Sequence, residues 1–159
     1  MSKPLKFLNS REAREVLNMV KEQWGADLYS AGFLERFAMM EDSNSNIFII
    51  SRGVSVLNDV HNLRIDSAGL YFGELKNGQL RLSIEGSQIV GGLASKNIVE
   101  LSKEDCAEWM RGNPVKTELP AHSGYLLVKH GKYFLGCSRV KDGFLLNFVP
   151  KVRRVSEPW

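Results

Sequence analysis

The stretch from Gly124 to Val155, GYLLVKHGKYFLGCSRVKDGFLLNFVPKVRRV, constrains the chain most. Tyr125 to Lys129 runs into His130-Gly131, and Tyr133 to Val140 runs into Lys141-Asp142-Gly143. Phe144 to Val149 then stops at Pro150, followed by Lys151-Val152-Arg153-Arg154. The runs are short and filled with aromatic and branched residues, and Gly131 and Gly143 supply the positive φ that tight hairpin loops need. The pattern predicts a small antiparallel sheet whose last member is a basic strand. Alternation along that strand would place Lys151 and Arg153 on one face and Val152 and Arg154 on the other.

Charge is distributed unevenly around this sheet. Residues 1–93 hold 10 Lys/Arg against 11 Asp/Glu, whereas residues 94–159 hold 11 against 7. Between 129 and 154 there are seven basic residues (Lys129, Lys132, Arg139, Lys141, Lys151, Arg153 and Arg154) and one acidic, Asp142. Such a concentration on one compact sheet points to a polyanionic partner. The plainer alternative is a solubilising edge strand, since edge lysines also block aggregation. Cations there would neutralise phosphates, and Tyr125, Tyr133 or Phe148 would stack on an unpaired base wherever the ring is exposed. Core packing is the competing role for each ring.

The rest of the chain reads as α+β. With 159 residues, 43% of them hydrophobic and 25% charged, it can bury a real core and is not a disordered tract. Ser10 is a plausible N-cap for a helix that puts Ala13, Val16, Leu17, Val20 and Trp24 on one face, with Gly25 as its stop. Phe33–Met40 and Ile47–Ser51 read as a hairpin, Val54–Val60 as a helical turn or two, and Leu63–Ile65 as a short strand. Gly69–Leu75 and Gln79–Ile84 flank Asn77-Gly78, the strongest hairpin signal in the chain. Glu85–Leu93 reads as a short helix. A composition change near Ala94-Ser95-Lys96 suggests a boundary, giving modules at 1–93 and 94–159. After it come a strand at Ile98–Leu101 and a helix capped by Ser102, with Glu104 and Asp105 in its first turn and Arg111 at its end.

Chemical motifs are sparse. His61, His122 and His130 have no partners at metal-site spacing, and Cys106 and Cys137 form neither a CxxC pair nor a disulfide framework. Gly86 to Gly91 has the outer spacing of a phosphate loop, but Gly92-Leu93 stands where Lys-Ser/Thr is required. Glu74 and Glu85 read as solvated residues. No catalytic, metal or cofactor site is expected; a thiol nucleophile from Cys106 or Cys137 with His130 is the enzyme alternative. The N-terminus lacks a signal-peptide core, and no window approaches a membrane span, so a cytoplasmic protein without membrane contact is expected.

Residues 96–155 resemble a PUA domain, the RNA-binding pseudo-barrel of pseudouridine synthases and archaeosine transglycosylases. The features that carry this are a short strand, the helix SKEDCAEWMRG, and the G-(x)3-V-K…F-L-G-C…G…N-F-V-P-K pattern. They are especially similar to the tail of RNA cytosine-5 methyltransferases of the Sun/Fmu type. GLYFGELKNGQLRLSIEGSQIVG resembles the pre-PUA module of those tails and of archaeal and eukaryotic large-subunit biogenesis factors. Those factors usually carry a His-rich strand where this chain has Arg81-Leu82-Ser83-Ile84-Glu85. The resemblance implies an N-terminal α/β pre-PUA module followed by a PUA-like β pseudo-barrel. It implies rRNA or tRNA binding through Arg111, Gly124, Tyr125, Lys129, Lys132, Lys151, Arg153 and Arg154. Catalysis does not carry over, because the methyltransferase motifs are not in this sequence. The expected role is a non-catalytic one in ribosome biogenesis or RNA modification, beside a separate modifying enzyme or assembly factor. The N-terminal module would dock a partner or set the angle at which RNA arrives. A protein–protein adaptor without RNA contact is the alternative.

Overall fold

The computed structural model describes residues 4–52 and 69–156; the expected elements over Val54–Val60 and Leu63–Ile65 lie outside them. Two five-stranded sheets carry the architecture. The first runs β1 (Lys6–Phe7), β2 (Phe37–Glu41), β3 (Asn46–Ser51), β4 (Leu70–Lys76) and β5 (Gln79–Leu82), every neighbouring pair antiparallel. The second contains β6 (Ile98–Glu100), β7 (Val115–Lys116), β8 (His122–His130), β9 (Tyr133–Lys141) and β10 (Phe144–Leu145). Its spatial order is β6-β8-β9-β10-β7, with β6 parallel to β8. This curled sheet closes toward a half-barrel, so the fold is the expected α+β arrangement with a PUA-like pseudo-barrel at its C-terminal end.

Helix α1 (Ser10–Trp24) buries the face read from its periodicity, Ala13, Val16, Leu17, Val20 and Trp24. Its cap, however, is Asn9 rather than Ser10. The Glu12 amide donates to Asn9 Oδ1 at 2.8 Å, and the Asn9 amide donates to Glu12 Oε1 at 3.0 Å. Of two adjacent cap-formers, only Asn9 has Glu three residues later, so the reciprocal box forms there. Gly25 takes φ 74° as the left-handed stop. The hairpin of β2 and β3 is as expected, but Phe33–Arg36 is a single helical turn, α2, ahead of β2. Asn77 and Gly78, at φ 52° and 75°, form the turn between β4 and β5. Ser83 ends β5 early: it caps α3 (Ile84–Gly91), accepting from the Gly86 amide at 2.9 Å, so Ile84 is helical rather than a strand residue.

Gln23, at the end of α1, acts as a surrogate strand for β5. Its amide donates to the Leu80 carbonyl at 2.9 Å, and its Oε1 accepts from the Leu80 N–H at 2.8 Å. Helix α4 (Lys103–Met110) follows β6, capped by Ser102 as expected. The apolar run of β8 is explained by burial on both faces. Tyr125 and Leu127 join a core with α1, Phe72, Leu80 and Cys137, whereas Leu126 and Val128 join a second core with Cys106, Trp109, Val115 and Leu145. The expected boundary at 93/94 falls between the two sheets, and the first of these cores draws residues from both sides of it. Trp24 Nε1–H reaches across to the Tyr125 carbonyl at 3.2 Å. Among the described residues, no helix is long and apolar enough to cross a membrane.

Candidate nucleic-acid interface

The tip of the β8–β9 hairpin gathers the first set of cations. Gly131 turns the chain at φ 60° and donates its N–H to Glu100 Oε2 at 2.7 Å, which ties the tip to the end of β6. His130 Nδ1 lies 2.8 Å from the Leu101 carbonyl; an oxygen that only accepts requires the proton on Nδ1. The register of β8 against β9 shifts between Val128 and Lys129, an irregularity of the kind that re-aims side chains. Lys129 is half-buried with its ammonium 5.5 Å from the Phe134 ring. Lys132 is exposed, 5.4 Å from the ring of Tyr133, and Tyr133 is itself 62% exposed.

The second set departs from expectation. Lys151–Arg153 is a turn of 3-10 helix, not a strand, and β10 spans only Phe144–Leu145. Two features break the ladder. The Asn147 side chain donates to the carbonyls of Trp109 and Asn113, both at 2.9 Å, and accepts the Val149 N–H at 2.8 Å. Pro150 then offers no donor at all. The two-face alternation read for Lys151–Arg154 therefore does not exist. Arg153 Nη1 instead meets Glu85 Oε1 at 2.6 Å, and Arg154 donates to the Val149 carbonyl at 3.1 Å. Arg111 is held by Glu108 at 2.9 Å and by the Ser156 carbonyl at 3.1 Å. Lys151 and Lys132 are exposed and enter none of the ion pairs among the described residues.

Tyr125 and Gly124 sit inside β8, Gly124 half-buried and Tyr125 only 4% exposed. The Tyr125 ring meets Phe148 edge-on at 6.3 Å with the Arg139 guanidinium 5.5 Å away, and its burial closes it to a base. Phe148 is half-buried under Arg81, 4.8 Å from its centroid. Of the three rings weighed from sequence, Tyr133 is the exposed one. Glu85 is a partner the sequence reading missed. It reads as an isolated carboxylate there because 68 positions separate it from Arg153.

Two hollows lie beside these elements, one next to the hairpin tip and one at Arg153. A trough lined by Gln88, Lys103, Cys106, Met110, His130 and Tyr133 runs beside the hairpin tip. A cleft of about 370 Å³ takes in Arg81, Glu85, Phe148, Pro150 and Arg153. Leu135 lines both, and Glu85 and Gln88, which line one each, are one turn apart on α3.

Neither cysteine is disposed as a nucleophile. Cys137 is 3% exposed, and burial pushes its thiol up to about 12. Burial also raises Cys106, whose sulfur lies 4.0 Å from that of Met110, although it shares the trough with His130.

Residues 96–155 match the family described as the methyltransferase RsmF PUA domain. That match makes this segment similar to a PUA domain. The chain is also 33% identical over 89 residues to ribosomal RNA small subunit methyltransferase F of Aeromonas hydrophila subsp. hydrophila. That alignment takes in 56% of this chain and spans about one fifth, 19%, of the relative's length. A stretch of 89 residues cannot fit between Lys96 and Trp159, so this likeness takes in residues ahead of Lys96. The family match covers the PUA domain and not the catalytic part of the methyltransferase. Both cation sets, the trough and Arg153 of the cleft belong wholly or mainly to this domain; α3 and the Arg81 strand complete them from the N-terminal half.

Proposed function

We propose that this chain binds ribosomal or transfer RNA through its PUA domain. It would act without catalysis of its own, in ribosome biogenesis or in presenting RNA to a separate modifying enzyme in the cytoplasm. In this reading residues 94–159 grip RNA and residues 1–93 form the second module, which fixes the approach or docks a partner. The observation that carries it is the match of residues 96–155 to the PUA domain of an RNA methyltransferase, a stretch that also holds the chain's excess of positive charge. Lys132 and Lys151 are the first phosphate contacts, being exposed and outside the ion pairs among the described residues. Arg153, Arg154, Arg111 and Lys129 contribute from tethered positions, whereas Tyr125 and Gly124 shape the strand beneath.

The test is a salt titration of the wild type and the Lys132→Ala/Lys151→Ala double variant against a ribosomal RNA transcript and a tRNA. Each lost phosphate contact is expected to lower the slope of log K against log salt by about 0.7–0.9. No shift of either RNA at physiological salt, with a pull-down partner that survives nuclease treatment, would replace RNA binding by a protein–protein adaptor role.

A further inference from the structure

Tyr133 carries more than the charge argument assigns to it. It is a large ring, 62% exposed, at the mouth of a trough enclosing about 640 Å³, within the span of roughly 300–1,000 Å³ common to ligand clefts. The floor is apolar, built from Met110, Phe134 and Leu135. Polar groups stand at the rim: the exposed Gln88 amide on α3 and His130, whose ring is oriented by its bond to Leu101. Cations surround it, with Lys103 at the start of α4, Lys129 over Phe134 and Lys132 over Tyr133.

Among the described residues, the carboxylates of α4 and β6 do not line this hollow. Lys103, Cys106 and Met110 follow helical spacing along the face of α4 toward the trough. Glu104, Asp105 and Glu108 fall on other faces of that helix, and Glu108 is taken up by Arg111 and Asn113. Glu100 accepts from the Gly131 amide behind the tip. An exposed ring, an apolar floor, a hydrogen-bonding amide and a cationic rim are the elements that hold an unpaired base with its phosphates.

The geometry points to this trough as the site for one unstacked base of single-stranded RNA. The base stacks on Tyr133 and presents its edge to Gln88, and its flanking phosphates meet Lys132 and Lys103. The inference rests on the RNA-binding reading above and adds to it the kind of RNA that binds: single strand rather than duplex. A duplex keeps its bases stacked inside and offers the ring nothing.

The test uses the full chain, a fluorescein-labelled uridine dodecamer and a duplex of equal length, read by anisotropy. Tyr133→Ala is expected to weaken single-strand binding by about 5- to 160-fold, the measured range for losing one stacked base. Its salt slope stays unchanged, because the ring carries no charge, and its duplex affinity stays put. Tyr133→Phe keeps the ring face and binds within about twofold of wild type. Wild-type protein that binds neither probe overturns the RNA reading, and this site with it. Wild-type binding that Tyr133→Ala leaves intact overturns the site alone, as does equal loss on strand and duplex or loss in Tyr133→Phe. Should Tyr133→Ala fold poorly by circular dichroism, the wild type crosslinked to a 5-bromouridine strand decides the matter. The crosslinked peptide is expected to contain Tyr133, and crosslinks confined to other peptides overturn the site.

Discussion

Replacing Glu85 with Gln is expected to strengthen RNA binding, although the residue lines the cleft. The Glu85 carboxylate holds the Arg153 guanidinium at 2.6 Å and cancels its charge. The pair is partly open to solvent, with side-chain exposures of 46% for Arg153 and 31% for Glu85. Breaking it therefore costs under about 1 kcal/mol, with a few tenths more for losing a carboxylate at the start of α3. The fold survives, and Arg153 is released to a phosphate. One added contact on a single strand contributes about 0.7 to the salt slope, which extrapolated to molar salt is about fivefold in affinity at 0.1 M and about threefold at 0.2 M. Anisotropy titrations of Glu85→Gln from about 50 to 400 mM salt should reach up to those gains with a steeper slope. Arg153→Ala alone should change the slope little, and in the Glu85→Gln background it should abolish the gain. An unchanged slope in Glu85→Gln, with Arg153→Ala as damaging as Lys151→Ala, would refute the reasoning. Arg153 would then already hold a phosphate with Glu85 in place.

Two predictions concern stability. Burial pushes the Cys137 thiol up to about 12, whereas an unfolded thiol loses its proton near about 8.5. Its contribution is thus complete below about 8.5 and drains at up to about 1.4 kcal/mol per pH unit as pH climbs toward the folded value. Urea melts from neutral to alkaline pH should show a flatter decline in Cys137→Ala than in wild type; parallel declines would remove the thiol as the cause. At the other end of the chain, Asn9→Ala removes the α1 cap and should cost about 0.5–2 kcal/mol in thermal or denaturant melts.

Much of the fold is legible in the sequence because its signals are local. Asn77-Gly78, Gly131 and Gly143 mark their turns, the spacing of Ala13 to Trp24 marks a helix face, and Ser102 marks a cap. The failures arise where distant groups intervene. Lys151–Arg154 has strand-like alternation, but Asn147 bonds α4 and its outgoing loop instead of continuing a ladder. Ser83 reaches the carbonyl of Tyr71 at 2.6 Å and so ends β5 two residues early. For the candidate site, the sequence gives the cations but not their partners. Whether Arg153 faces solvent or Glu85 depends on how two sheets meet. Tyr125 and Tyr133 are equivalent by composition; the first is enclosed because its strand is covered on both faces, and the second is exposed at a hairpin tip.

That double covering of β8 has a consequence for cutting the chain. A fragment starting at Ala94 would keep the core formed by Leu126, Val128 and Trp109, yet lose α1 and the first sheet from over Tyr125, Leu127 and Cys137. The uncovered side chains would form a sticky apolar strip on the half-barrel, inviting self-association. Trp24 would also be gone from the Tyr125 carbonyl. The C-terminal half is therefore a poor candidate for transplantation by itself. In a heated sample, the two halves should come apart in one step, because each supplies the lid of a shared compartment.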